Sequence, residues 1–175
     1  MEKTHLKHKH GTPKILNYSV LIISDSRYSE LKEGKESTDK TIPLIKKILE
    51  QKKQNFISSQ IVPDENVNIK EVLLQLIKGK NDIIITSGGT GISKRDITIE
   101  TIKPLFEKTL EGFGELFRYL SYKEIGSSAM LSRASAGIIN NKIIFCLPGS
   151  PNAVKLALEN LIIPESGHIM KMIEK

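Results

Sequence analysis

From Tyr18 to Thr86 the chain alternates short apolar runs with longer stretches whose apolar residues recur at helical spacing, and this pattern restricts the fold more than any single motif. Tyr18–Ile23 (YSVLII) and Asp82–Thr86 (DIIIT) are brief and β-branched, and each stops at polar or glycine residues, which predicts buried strands. Asn55–Val62 reads as a further strand ending at Pro63–Asp64–Glu65–Asn66. Between these runs, Ile42, Leu44, Ile45, Ile48 and Leu49 predict a helix over about 38–53, with Pro43 in its tolerant first turn. Val67, Ile69, Val72, Leu73, Leu76 and Ile77 predict a second helix capped by Gly79, and Thr98–Lys108 predicts a third. Arg27–Glu36 carries no such stripe and reads as a polar loop. Apolar strands alternating with amphipathic helices give an α/β fold with a mostly parallel sheet covered on both faces.

The second half is less periodic. Leu116, Phe117 and Leu120 predict a short helix within 111–131. Ala136–Asn140 and Lys142–Leu147 flank Asn140–Asn141, a pair suited to the positive φ of a tight hairpin. Pro148–Gly149–Ser150–Pro151–Asn152 closes the second of these strands and opens a helix reaching Leu161. The last residues form a short element folding back on the domain. No repeat or linker divides residues 15–175, which read as one domain preceded by a flexible, basic, His-rich arm over 1–14. His5, His8 and His10 in that arm are the kind of cluster that surface tails often carry and that can hold a metal.

In a parallel sheet the carboxyl ends of the strands share one edge, and ligands bind there. Asp25, Asp64 and the loop carrying Asp96 emerge at that edge. Ser87–Glu100, SGGTGISKRDITIE, follows the third strand, and glycine at 88, 89 and 91 permits positive φ and close backbone approach. A helix starting at Thr98 would add its electropositive end, with Lys94 and Arg95 beside it, so a phosphate or carboxylate is the expected guest. The loop matches neither the P-loop spacing nor the dinucleotide pattern, which has glycine where Lys94 stands. Asp96 among phosphate donors would repel the guest unless a cation lies between them. Hard oxygens with retained water suit Mg²⁺, with Asp64 as partner, and the chemistry would be phosphoryl or nucleotidyl transfer. Simpler roles are open for both: a helix cap for Asp64 within PDEN, and a cap or an ion pair with Arg95 for Asp96.

Charge narrows the partners. The net charge is +6, but the lysines are dispersed and often alternate with glutamate. No nucleic-acid fingerprint or aromatic ladder accompanies them, so small polyanions are the expected partners rather than DNA or RNA. No apolar run approaches the roughly 20 residues needed to span a bilayer, and the first residues lack an apolar signal core. With Cys146 as the one cysteine, a cytoplasmic protein without an internal disulfide is expected.

In order along the chain, IISDSR, IVPDE, SGGTGISKRDITIE and LPGSPNAV, supported by GFGELFR and AMLSRASAG, resemble the MoaB/MogA family of molybdopterin-biosynthesis proteins, more nearly MoaB, over about residues 15–165. The resemblance implies a three-layer α/β/α sandwich and trimers, in some members paired into hexamers. It implies adenylylation of molybdopterin by Mg-ATP with release of pyrophosphate, and contact with the metal-insertion protein of the pathway. Asp64 and Asp96 match the family's essential acidic pair, acting through the metal. Gly88, Gly89, Thr90 and Gly91 would hold phosphate, with Pro148, Gly149 and Ser150 as a second wall. Ser24, Asp39, Ser121 and Ser132 stand where members contact the pterin, although each serine equally suits a turn cap. Three positions depart from the family pattern: Thr41 where serine or glycine is common, Cys146 in place of asparagine, and Ile99 in place of proline. Thr41 and Cys146 keep a non-catalytic pterin-binding or scaffold homologue as the alternative.

Overall fold

The computed structural model describes residues 11–174, so the His-rich segment with His5, His8 and His10 lies outside the described residues. Residues 13–14, at the end of the expected arm, lie against the body: the Pro13 carbonyl sits over Gly167, and Gln54 Nε2 donates to the Lys14 carbonyl at 3.0 Å.

Six strands form one sheet in the order β2-β1-β3-β6-β5-β4. They are β1 (Asn17–Ile23), β2 (Asn55–Val62), β3 (Ile83–Ser87), β4 (Lys108–Thr109), β5 (Ser135–Ile139) and β6 (Lys142–Leu147). β2, β1, β3 and β6 run parallel, while β5 runs antiparallel to both β6 and β4. The hairpin between β5 and β6 turns at Asn140 (φ 47°) and Asn141 (φ 58°), the positive values that Asn tolerates.

Strand parity divides the core into two layers. Tyr18, Val20 and Ile22 of β1, with Ile83 and Ile85 of β3 and Phe145 of β6, face one side. There they meet Ile45, Ile48 and Leu49 of α2 (Thr41–Gln51), Phe113 and Phe117 of α5 (Glu111–Ile125), and Val154 of α6 (Pro151–Ala157). Leu21, Ile23, Ile84, Ile144 and Cys146 face the other side, against Ile69, Leu73, Leu76 and Ile77 of α3 (Asn66–Lys78) and Ile102 of α4 (Thr98–Ile102). This is the three-layer α/β/α arrangement. A π-helical turn, Leu158–Ile162, joins α6 to α7 (Ile163–Ile173).

Three expectations are corrected. The stretch read as a polar loop holds a helix, α1 (Asp25–Lys32), which buries no residue and so leaves no apolar stripe to read; Ser24 caps it. The third helix ends at Ile102 instead of Lys108, because Pro104 interrupts it within a 3₁₀ turn (Lys103–Leu105) before β4. The short helix after Glu111 runs on to Ile125, continuing past its buried stripe on an exposed face.

Candidate active site

β1 has β2 on one side and β3 on the other, so the chain reverses its direction of travel across the sheet there, and the loops leaving these strands diverge over an open crevice. A cleft of about 860 Å³ occupies that place, within the range of small-molecule and cofactor sites. Its floor is the glycine loop. Gly88 has φ +108°, and a Cβ there would stand 2.1 Å from the Ile23 carbonyl oxygen. Its amide donates to the Leu147 carbonyl at 3.1 Å. The backbone is thereby fixed between the ends of β1 and β6. The amides of Gly89, Thr90 and Gly91 donate to no acceptor among the described residues.

The expected electropositive pole at Thr98 is not open to a ligand. The Thr98 amide donates to the Gly89 carbonyl at 2.9 Å, its buried hydroxyl donates to the Gly88 carbonyl at 2.9 Å, and α4 has only 5 residues. Thr98 shapes the loop instead. Arg133, missed in the sequence, clamps the same loop from outside. Its Nε donates to the Thr90 carbonyl at 3.1 Å and its Nη2 to the Asp96 carbonyl at 3.3 Å, while its Nη1 pairs with Glu100.

Both carboxylates come to this loop. Asp64 follows β2, and its Oδ1 lies 2.5 Å from where a Cβ on Gly89 would be. Asp96 Oδ2 lies 2.8 Å from the corresponding point on Gly91 and accepts the Ser93 amide at 3.0 Å. Burial pushes the Asp64 carboxyl above its ordinary range, and the nearby Asp25 and Asp96 charges push the same way, against the Asp25 amide and Arg95. Arg95 pairs with Asp25, not with Asp96, at 2.7 and 2.9 Å, and holds the Asp25 carboxyl below its ordinary range.

The remaining residues singled out in the sequence line the same cleft. Pro148, Gly149 and Ser150 line the cleft beside the glycine loop, with Gly149 against Gly88, and Ser24, Asp39, Ser121 and Ser132 also line it. Three of these also accept amides of a helix's first turn: Ser24 Oγ accepts the Arg27 amide at 3.4 Å, Asp39 Oδ2 the Ile42 amide at 2.7 Å, and Ser150 Oγ the Ala153 amide at 3.2 Å. Thr41 also lines the cleft, whereas Cys146 does not. Strand parity sends its thiol into the α3 layer, where burial pushes its pKa up to about 12 and leaves it inert. Ile99 packs against that same layer. Arg27, Lys40 and Phe117 add to the lining without a signal that sequence reasoning had used.

The electrostatic position of Asp64 has a measurable consequence. A carboxyl with a raised folded-state pKa favours the folded protein below the unfolded value, and that contribution is lost as pH rises through the folded value. Asp64→Asn should therefore raise the melting temperature at pH 7, on the order of 2 °C. The gain should shrink as pH falls into the ordinary carboxylate range. Thermal unfolding of both proteins from pH 4 to 7 measures it, and a gain that is absent at pH 7 contradicts the assignment.

A mostly parallel sheet with a glycine loop at its switch point, and two carboxylates beside that loop, is the arrangement of a ligand-binding α/β protein. The chain belongs to the family described as "Probable molybdopterin binding domain", whose pattern matches residues 19–168. It is 46% identical over 165 residues to "Molybdenum cofactor biosynthesis protein B" of Bacillus cereus, covering 93% of this chain and 94% of that one. It is also 46% identical over 162 residues to a "Probable molybdopterin adenylyltransferase" of Methanocaldococcus jannaschii, covering 92% and 96%. The crystal structure of the tungsten cofactor synthesizing protein MoaB from Pyrococcus furiosus superposes with a TM-score of 0.82 at 42% identity, covering 93% of this chain and 99% of that one.

Proposed function

We propose that the protein adenylylates molybdopterin. The terminal phosphate oxygen of the pterin attacks the α-phosphorus of ATP, a new P–O bond forms, the bond to the β-phosphate oxygen breaks, and pyrophosphate leaves. The observation that carries this reading is the convergence of Asp64 and Asp96, from separate strand ends, above one glycine loop. The names borne by its relatives point the same way.

The unengaged amides of Gly89, Thr90 and Gly91 would donate to phosphate oxygens of the bound substrates. Asp64 and Asp96 would hold Mg²⁺. Two carboxylates are few ligands for a cation, so the ion would keep water and take substrate oxygens, which suits Mg²⁺. When bound it supplies charge neutralisation for phosphate transfer. Thr98 and Arg133 keep the donors in place, so little reorganisation is needed when charge develops. The non-catalytic alternative loses one of its motives, since Cys146 does not line the cleft.

Leu116, Tyr119, Tyr122, Ile125, Met130 and Leu131 form an exposed apolar run along α5 and the turn after it. It supports self-association into the trimers or hexamers that the family resemblance implies. Among the described residues no helix is long and apolar enough to cross a membrane.

Incubating the protein with molybdopterin, ATP and Mg²⁺ should yield adenylylated molybdopterin and pyrophosphate in equal amounts. Binding of the pterin without pyrophosphate release would contradict the proposal.

A further inference from the structure

Asp25 takes no part in lining the cleft, yet both of its carboxylate oxygens are committed to the loops that carry the reactive pair. Oδ1 accepts the backbone amide of Asp64 at 3.0 Å. Oδ1 and Oδ2 together accept Arg95 Nη2 at 2.9 Å and Nε at 2.7 Å, a two-pronged pair. Arg95 is the residue immediately before Asp96. A single side chain after β1 thus grips the residue after β2 that bears one carboxylate and the neighbour of the other after β3.

We propose that Asp25 is a positioning residue for adenylyl transfer, a latch that ties the three strand-end loops together and sets the separation of Asp64 and Asp96. The inference rests on the function proposed above and names the part of the fold that makes the pair work as a unit.

Two simpler roles do not account for these contacts. Asp25 opens α1, where a carboxylate commonly serves the helix end, but Ser24 already caps that helix, and both Asp25 oxygens point to other loops. A contribution to stability is also small. The Asp25 and Arg95 side chains are 44% and 58% exposed, and ion pairs so open to water contribute little. Position is different: a reacting geometry displaced by about 1 Å loses on the order of 100-fold in rate.

The test uses the full-length protein and its Asp25→Ala and Asp25→Asn variants. Asp25→Ala should lower kcat about 100-fold while the KM for ATP stays within about threefold. It should weaken binding of Mn²⁺ alone, measured calorimetrically as a probe of the acidic pair, by about 10-fold. The melting temperature should stay within about 2 °C, and the Asp64 amide should exchange hydrogen faster. Asp25→Asn keeps one oxygen for that amide and should recover about 10-fold of the lost kcat. If kcat of Asp25→Ala stays within about threefold of wild type, or if its loss merely follows a fallen melting temperature, the latch is wrong. If the wild-type protein itself makes no adenylylated pterin, the functional reading falls separately. Mn²⁺ affinity and Asp64 amide exchange then decide the latch, and unchanged values in Asp25→Ala would remove it.

Discussion

Gly88→Ala is expected to melt at least about 10 °C below the wild-type protein, or to fail to accumulate as folded protein. Two penalties add at this position. The backbone has φ +108°, outside what an L-residue adopts without strain, and the new methyl would start 2.1 Å from the Ile23 carbonyl oxygen. That oxygen belongs to the end of β1, so it cannot swing aside as a side chain would, and either the sheet opens or the loop moves. Gly34→Ala separates the two penalties. Gly34 has φ +67° but nothing within 4 Å of its added carbon, so it should lose only about 1 kcal/mol, from backbone strain. Comparable melting of the two variants would show that the packing of Gly88 between β1 and β6 is unimportant.

Asp96→Asn should cut the rate of pyrophosphate release by about 1,000-fold or more, near 4 kcal/mol of transition-state stabilisation, with the fold intact. Asparagine can keep the contact with the Ser93 amide, since its carbonyl oxygen replaces Oδ2. What disappears is the negative charge that would hold Mg²⁺ against the substrate phosphates. Asp64→Asn should lose activity to a similar degree while melting slightly higher, so activity and stability move in opposite directions at one residue. A turnover number for Asp96→Asn near that of wild type would leave the acidic pair without a catalytic role.

Much of this arrangement could be read from the sequence because the strands announce themselves. Val20–Ile23 and Ile83–Ile85 are apolar without interruption, and in a sheet covered on both faces that places the ends of these strands, and hence Ser24 and the glycine loop, on one edge. The hairpin at Asn140–Asn141 was equally plain, since few residues tolerate two positive φ values in succession. Helix α1 was hidden for the opposite reason. Its sequence DSRYSELK has no buried face, and polar contacts hold it, such as Thr38 donating to Glu30 at 2.8 Å from the amide and 2.7 Å from the hydroxyl. A search for periodicity is blind to such a helix. Arg133 was missed because its partners, Thr90, Asp96 and Glu100, are 33–43 positions away in the chain. No local pattern encodes a clamp of that reach. The orientation of Cys146 could have been derived: in a strand with Phe145 and Leu147 toward α5 and α6, the residue between them must face α3.

The sheet order also governs when the cleft can exist during synthesis. β6 is among the last elements made, yet it docks beside β3 in the interior of the sheet, and the Leu147 carbonyl that it brings receives the Gly88 amide. Until that strand has left the ribosome, the glycine loop has no anchor on one flank and the Pro148–Ser150 segment of the cleft is missing. The cleft is therefore completed only when β6 takes its place beside β3.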